Sequence, residues 1–255
     1  MSKLAAEKKF FDVSDYGRPI AAAFATRIKH TNITPVHVTF LFGICGLVAV
    51  FCIINHFFIA AGFFLILKSI IDAADGELAR LKKTPSYTGR YLDSVFDNIL
   101  NFLFLMSVCF ISQATFGVSL LAFACLQMQG TLYNYYYVIL RNNSSGGDTT
   151  SKIFETQIPK AFPGESQKTV NFLFILYLLL YGVYDKTIYA LDRKASTVKS
   201  FPNWFMTLVS FYGLGFQLML MAIMLAAGWF EFIIPFFIGY SGLMFAFIGI
   251  RKVFL

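Results

Sequence analysis

Charged residues are scarce in this sequence. Asp, Glu, Lys and Arg make up only 14% of its 255 residues, whereas they make up about a quarter of a typical soluble domain. Hydrophobic residues make up 57%, including 31 Phe and 13 Tyr. A soluble chain of this length has too little core to bury so much apolar surface. Several apolar runs of about 18 residues or more therefore predict an all-α polytopic membrane protein.

Histidine and cysteine are also rare, with three and four residues respectively. The cysteines all lie inside apolar runs and lack the spacing of metal ligands (Cys45, Cys52, Cys109 and Cys125). A zinc or iron–sulfur site is therefore not expected. The first residues are too polar for the apolar region of a cleavable signal peptide.

The net charge of +7 is distributed along the edges of the apolar runs. This placement is typical of contact with anionic lipid and of the positive-inside rule, and no nucleic-acid partner is expected. Basic residues before the first span (Lys8, Lys9, Arg27 and Lys29) place the N-terminus in the cytoplasm, in the inner membrane or an equivalent endomembrane. The loops after the second and fourth spans are then also cytoplasmic.

Hydrophobic patterning divides the chain into four regions. Residues 1–30 are a polar N-terminus followed by a short amphipathic helix, predicted to lie on the membrane surface. Residues 31–140 hold four spans, 141–203 a cytoplasmic loop region with a non-spanning apolar helix at 169–184, and 204–255 two more spans. The resulting prediction is a six-transmembrane-helix bundle, with seven spans as the alternative because 169–184 is marginal in length.

One polar stretch interrupts the apolar runs at the junction of the second and third spans. It reads D-A-A-D-G-E-L-A-R from Asp72 to Arg80, and G-R-Y-L-D-S-V-F-D from Gly89 to Asp97. On helices, the two aspartates of each half share one face, so four carboxylates are expected to converge. Acids at a membrane are costly unless paired or functional.

Clustered carboxylates repel one another, and divalent cations relieve that repulsion. Oxygen ligands select hard ions such as Mg²⁺, Mn²⁺ or Ca²⁺. A site of this kind at a membrane surface indicates phosphoryl transfer, with Arg80 available to pair with phosphate. Gly76 and Ala79 are small enough to let a ligand approach the helix closely.

The pattern D-x₂-D-G-x₂-A-R-x₈-G-x₃-D-x₃-D resembles the signature of the CDP-alcohol phosphotransferases, class I, and every fixed position is matched. Thr34-Pro35 and Thr39 also resemble the family's T-P-N-x-x-T entry into the first span, although Val36 replaces the usual Asn. The resemblance covers about residues 16–140. It implies a metal-dependent enzyme of phospholipid synthesis, which transfers a substituted phosphate from a CDP-alcohol to a hydroxyl acceptor and releases CMP.

The resemblance also implies residue roles. Two divalent cations, Mg²⁺ or Mn²⁺, would be held by Asp72, Asp75 and Asp93, with Asp97 as ligand or near-ligand and as the catalytic base. The implied nucleotide contacts are Thr34, Pro35, Asp72, Gly76, Ala79, Arg80 and Gly89. A homodimer is common in such proteins.

The substrates stay open at this stage. CDP-diacylglycerol with a small polar acceptor is the first expectation. A choline or ethanolamine phosphotransferase is an alternative, weakened because Ser94 and Val95 follow Asp93 where a histidine is usual. The inositol-phosphate-transferring branch, the di-myo-inositol phosphate phosphate synthases, is similar in the run from Asp75 to Lys82. A cation-binding transporter and a membrane phosphatase are further alternatives.

Basic residues are the candidates for binding an anionic acceptor or a lipid phosphate: Lys68, Arg141, Lys152, Lys160 and Arg193. For each of the last four, positive-inside topology is the simpler interpretation. Lys68 differs because it lies inside the second span, where a lysine needs an acid or a phosphate nearby.

Overall fold

The structure, a computed structural model, describes residues 4, 8–143, 152–153 and 155–254. These residues form helices and connecting loops, with no strand among them. The helices are α1 (Arg18–Ile28), α2 (Pro35–Ile54), α3 (Phe58–Lys82), α4 (Tyr87–Ser112), α5 (Phe116–Asn142), α6 (Gln167–Leu191), α7 (Asn203–Val209), α8 (Leu214–Ala226), α9 (Phe230–Tyr240) and α10 (Leu243–Phe254). The predicted all-α class is confirmed.

Five stretches in the described part of the chain are long and apolar enough to cross a membrane, or six if the bent pair α7–α8 is one span. Helix α6 is one of the five, and α9 and α10 together form another. Helix α3 is not among them because Lys68, Asp72 and Asp75 fall within it. The chain is therefore a multi-pass membrane protein, and α3, which carries the first half of the acidic motif, has more charged residues than its other long helices.

Short turns join neighbouring helices into antiparallel pairs. The turn between α4 and α5 lies at Gln113–Thr115, and Asn101 of α4 donates to Gln127 of α5 at 3.3 Å. Helix α8 runs antiparallel to α3, since Gly62 lies against Ala222 and Ser69 against Gly215. We call the end of the bundle where α3 ends and α4 begins the motif end.

Helix α6 starts and finishes at the motif end. Glu165, just before α6, accepts a hydrogen bond from Ser86, the N-cap of α4. Asp192, just after α6, accepts one from Tyr136 near the end of α5 and pairs with Arg251 near the end of α10. The two ends of α6 are therefore both attached at the motif end.

The length of α6 departs from expectation. The apolar segment 169–184 becomes a helix of 25 residues that continues through Asp185 and Lys186 to Leu191. Large apolar side chains on its outer face stay exposed at helical spacing: Phe172, Ile175, Leu179 and Val183. The expectation that this segment does not span the membrane stays a prediction.

Helix α1 packs on α3 through small residues. Ala21 and Ala25 are buried, whereas Ile20 is 61% exposed and Phe24 is half-buried. The amphipathic helix predicted between Tyr16 and His30 is therefore present, but alanines rather than the large apolar residues make its closest contact.

The segment before α1 is hydrogen-bonded to the bundle and packs closely against it. The backbone N–H of Val13 donates to Ser210 Oγ at 3.0 Å. A Cβ on Gly215 would lie 2.0 Å from the carbonyl oxygen of Ser14, so only glycine allows this approach. Residues 12–15 consequently reach the same region as the acidic motif.

Candidate active site

Three of the four carboxylates that were expected to converge form a group at the motif end. One oxygen each from Asp72 and Asp75 on α3 and from Asp93 on α4 lies within 4.8 Å of the others. Asp93 Oδ1 is buried and has no hydrogen-bond partner. An unsatisfied oxygen among three carboxylates is costly without a cation. The residues present therefore fit a hard divalent ion.

A threonine from the neighbouring helix fixes Asp75. Thr39 Oγ1 of α2 donates to Asp75 Oδ2 at 2.7 Å, and both residues are buried. A hydrogen bond of this kind orients a carboxylate before a cation arrives. From the sequence, Thr39 was expected only as part of a motif, without a role of its own.

The fourth carboxylate, Asp97, is paired differently. Lys68 Nζ donates to Asp97 Oδ1 and, at 2.7 Å, to Asp72 Oδ2. Lys68 has no exposed surface, and its ammonium lies 4.6 Å from the centre of the Phe42 ring. This lysine was expected to contact an acceptor or lipid phosphate; in the structure two carboxylates bind its ammonium.

A cavity of about 370 Å³ opens onto Asp72, Asp93 and Asp97. Arg141 and Lys152, both predicted as acceptor contacts, line it. Arg193 does not line it; its Nε donates to the Tyr189 hydroxyl at 3.2 Å. Further lining residues that the sequence analysis did not predict come from four parts of the chain: Asp12, Asp15, Arg18, Arg90, Gln127, Tyr133, Tyr177, Tyr181 and Asp185.

Helix α6 forms one wall of this cavity. The Tyr181 hydroxyl donates to the Ser94 carbonyl oxygen at 3.0 Å, and the Tyr177 hydroxyl donates to Asp185 at 3.3 Å. Arg90 of α4 lies 5.9 Å from the centre of the Tyr177 ring of α6, a cation–π distance. The wall is therefore polar and aromatic.

The predicted nucleotide contacts lie around the ends of α2, α3 and α4. Thr34 caps α2, and the ammonium of Lys82 at the end of α3 donates to the carbonyl oxygens of Thr31 and Ile33 just before it. Apart from Asp72, these contacts lie outside the lining of the 370 Å³ cavity: Thr34, Pro35, Gly76, Ala79, Arg80 and Gly89.

Gly76 and Arg80 leave room for a ligand. A Cβ on Gly76 would approach only the end of the Arg80 side chain, at 3.5 Å, so packing within the protein does not require glycine here. Arg80 donates to Glu77 at 2.6 Å, while its Nε is buried without a hydrogen-bond partner. Both features fit a polar ligand lying against this turn of α3.

Glu165 holds the start of α4, the helix that carries Asp93. Its Oε1 accepts from Ser86 Oγ at 2.7 Å and from the Thr88 N–H at 2.8 Å. Its Oε2 accepts from the Phe162 N–H at 3.0 Å. Burial alone would raise the pKa of Glu165, but these donors outweigh burial and the pKa is lowered. The role of Glu165 was not predictable from the sequence, because Glu165 lies 79 positions from Ser86.

Comparison with known proteins agrees with this geometry. The profile of the CDP-alcohol phosphatidyltransferase family matches residues 32–247. The chain belongs to this family. It is therefore a transferase of substituted phosphate groups, and the match extends well beyond the 16–140 covered by the resemblance.

A curated relative is a "Bifunctional IPC transferase and DIPP synthase" from Archaeoglobus fulgidus, 33% identical over 107 residues. The match covers 41% of this chain and 22% of the relative. CDP-alcohol phosphatidyltransferases use a CDP-alcohol and an alcohol acceptor and depend on a divalent metal. The carboxylate group at Asp72, Asp75 and Asp93 is the place in this chain that suits such an ion.

Proposed function

We propose that this protein transfers a substituted phosphate from a CDP-alcohol, most readily CDP-diacylglycerol, to the hydroxyl of a small polar acceptor in phospholipid synthesis. The observation that carries the proposal is the group of three carboxylates beside Asp97 at the floor of a polar cavity. A divalent ion held by Asp72, Asp75 and Asp93 would neutralise the diphosphate and stabilise the departing CMP.

In the proposed reaction the acceptor oxygen attacks the phosphorus that carries the alcohol. A new P–O bond forms, the P–O bond to CMP breaks, and CMP leaves with the bonding pair. Asp97 takes the proton of the attacking hydroxyl. Lys68 keeps the Asp97 carboxylate oriented through its hydrogen bond, and Thr39 does the same for Asp75.

The cytidine and its phosphates are proposed to lie near Thr34 and Pro35 and against Gly76, Ala79, Arg80 and Gly89. The lack of close protein packing at Gly76, where a Cβ would meet only the end of the Arg80 side chain, supports this placement. The acceptor is proposed to enter the cavity beside Arg141 and Lys152. Because these cations suit an anionic acceptor group, an acceptor with a phosphate or carboxylate is favoured over a neutral one.

A second candidate is transfer between two soluble headgroups, of the di-myo-inositol phosphate type. The relative from Archaeoglobus fulgidus supports it by its name, and Arg141 and Lys152 in the cavity lining support it by charge. The aminoalcohol phosphotransferase has the weakest support, because Ser94 and Val95 follow Asp93.

We further propose six membrane crossings, with α6 at the membrane surface and the motif end in the cytoplasm. The attachment of both ends of α6 at the motif end supports the first point. The basic residues at Lys82, Lys83 and Arg251 support the second. Homodimerisation stays a prediction from the resemblance.

To test this proposal, the purified protein is incubated with Mg²⁺, mixed acceptors and one CDP-alcohol at a time, and the CMP released is measured. The CDP-alcohols are CDP-diacylglycerol, CDP-choline, CDP-ethanolamine and a CDP-linked inositol. CMP release with CDP-diacylglycerol is the expected result. Asp97→Asn is expected to abolish release while CDP-alcohol binding is retained. Full activity of that variant would remove the base assignment, and release only with the CDP-linked inositol would favour the second candidate.

A further inference from the structure

The motif separates into two cation sites of different kinds. Asp72, Asp75 and Asp93 bring oxygens together within 4.8 Å, and Asp97 is not part of that group. Asp97 instead accepts from the ammonium of Lys68, which also donates to Asp72. Asp72 is thus shared between the three-carboxylate group and the ammonium.

The ammonium has little freedom to leave this position. Lys68 is fully buried, and the Phe42 ring lies 4.6 Å from its charge. Moving the ammonium away from both carboxylates would leave an unpaired charge in an apolar region, which is strongly unfavourable. A divalent ion placed between Asp72 and Asp97 would in addition be repelled by the ammonium at short range.

We propose that the Lys68 ammonium takes the place of a second divalent ion, so that this motif binds one ion, at Asp72, Asp75 and Asp93. This rests on the proposed function only in requiring that an ion binds there. It differs from the two ions that the resemblance implies. Lys68 is then a positioning residue, which fixes Asp97 and supplies one positive charge beside Asp72.

The experiment counts bound Mn²⁺ per chain in detergent, by the loss of the free-ion electron paramagnetic resonance signal, with and without CMP. Wild type is expected to bind one ion in both conditions. Lys68→Met, which removes the charge and keeps the length, is expected to bind two. Lys199→Met, which removes an exposed lysine in the loop before α7, is the matched control and is expected to bind one.

Asp97→Asn provides a second reading that does not depend on the Lys68 variant folding. It is expected to bind one Mn²⁺ with a Kd within about threefold of wild type, well below even the 10- to 100-fold weakening typical of losing an outer-shell partner of a ligand. The proposal would be overturned if wild type bound two ions or if Asp97→Asn lost its ion. It would also be overturned if Lys68→Met unfolded cooperatively, and so was folded, but bound only one ion. No bound ion in wild type would instead count against the metal site of the proposed function.

Discussion

Replacing Glu165 by Gln should destabilise the protein at neutral pH, because Glu165 caps the helix that carries Asp93. Glutamine keeps one oxygen for Ser86 and Thr88, but its amide nitrogen faces the Phe162 N–H, and the negative charge at the start of α4 is lost. A hydrogen bond to a charged group contributes about 1.5–3 kcal/mol, and a helix cap about 0.5–2 kcal/mol.

Because the Glu165 side chain is only partly buried, we expect a loss of about 2 kcal/mol, or roughly 4–8 °C in Tm for a chain of this size. The pKa of Glu165 is lowered in the folded state. Its contribution is therefore present above the unfolded value near 4.3 and is lost as pH falls through the folded pKa. The difference in Tm between wild type and Glu165→Gln should be full at pH 7 and should shrink as pH falls below about 4.

Thermal unfolding followed by intrinsic fluorescence in detergent measures both effects. Glu231→Gln is the matched control, since Glu231 is an exposed acid in the first turn of α9. Its replacement removes a charge near a helix start without removing a buried cap, so its effect should stay below about 1 kcal/mol. Equal losses of Tm in the two variants, or a Glu165→Gln effect that is unchanged by acid, would refute the capping argument.

Two further predictions concern buried contacts. Thr39→Val should weaken Mn²⁺ binding about 10- to 100-fold through loss of the hydrogen bond to Asp75, whereas Thr39→Ser should retain it; equal affinities measured by titration would show that Thr39 does not orient the ligand. Asp192→Asn should lower the free energy of unfolding by about 3–5 kcal/mol, because the Arg251 guanidinium stays buried without its carboxylate partner. The double variant Asp192→Asn with Arg251→Met should recover part of that Tm loss, and a purely additive loss would contradict the pairing.

The sequence predicted which acids share a face of each helix, because that depends on helical spacing alone. Asp72 and Asp75 are three residues apart on α3, so any regular helix places them on one face. The Lys68–Asp72 pair is also local, at i and i+4. The contact between Lys68 and Asp97 is not local, since the two residues are 29 positions apart and lie on different helices, α3 and α4. The sequence indicated only that this lysine needed an acid or a phosphate nearby.

The attachments of α6, the helix that forms one wall of the cavity, could not be predicted for the same reason. Glu165 and Asp192 act on residues 79 and 59 positions away, and neither belongs to a recognisable motif. The length of α6 was underestimated because Asp185 and Lys186 look like the end of an apolar run. In the structure Asp185 faces the polar cavity, so the helix continues through a residue that a purely lipid-facing helix would exclude.

The attachment of α6 has a consequence for the order of the chain. Because α6 leaves and returns at the motif end, it adds length between α5 and α7 without changing which end of the bundle α7 starts from. The direction of α7 and of every later helix would therefore be the same if this segment were shorter or longer. Under the proposed function, a change in the length or side chains of this segment would alter the cavity wall and leave the order of the helices that carry the carboxylates as it is.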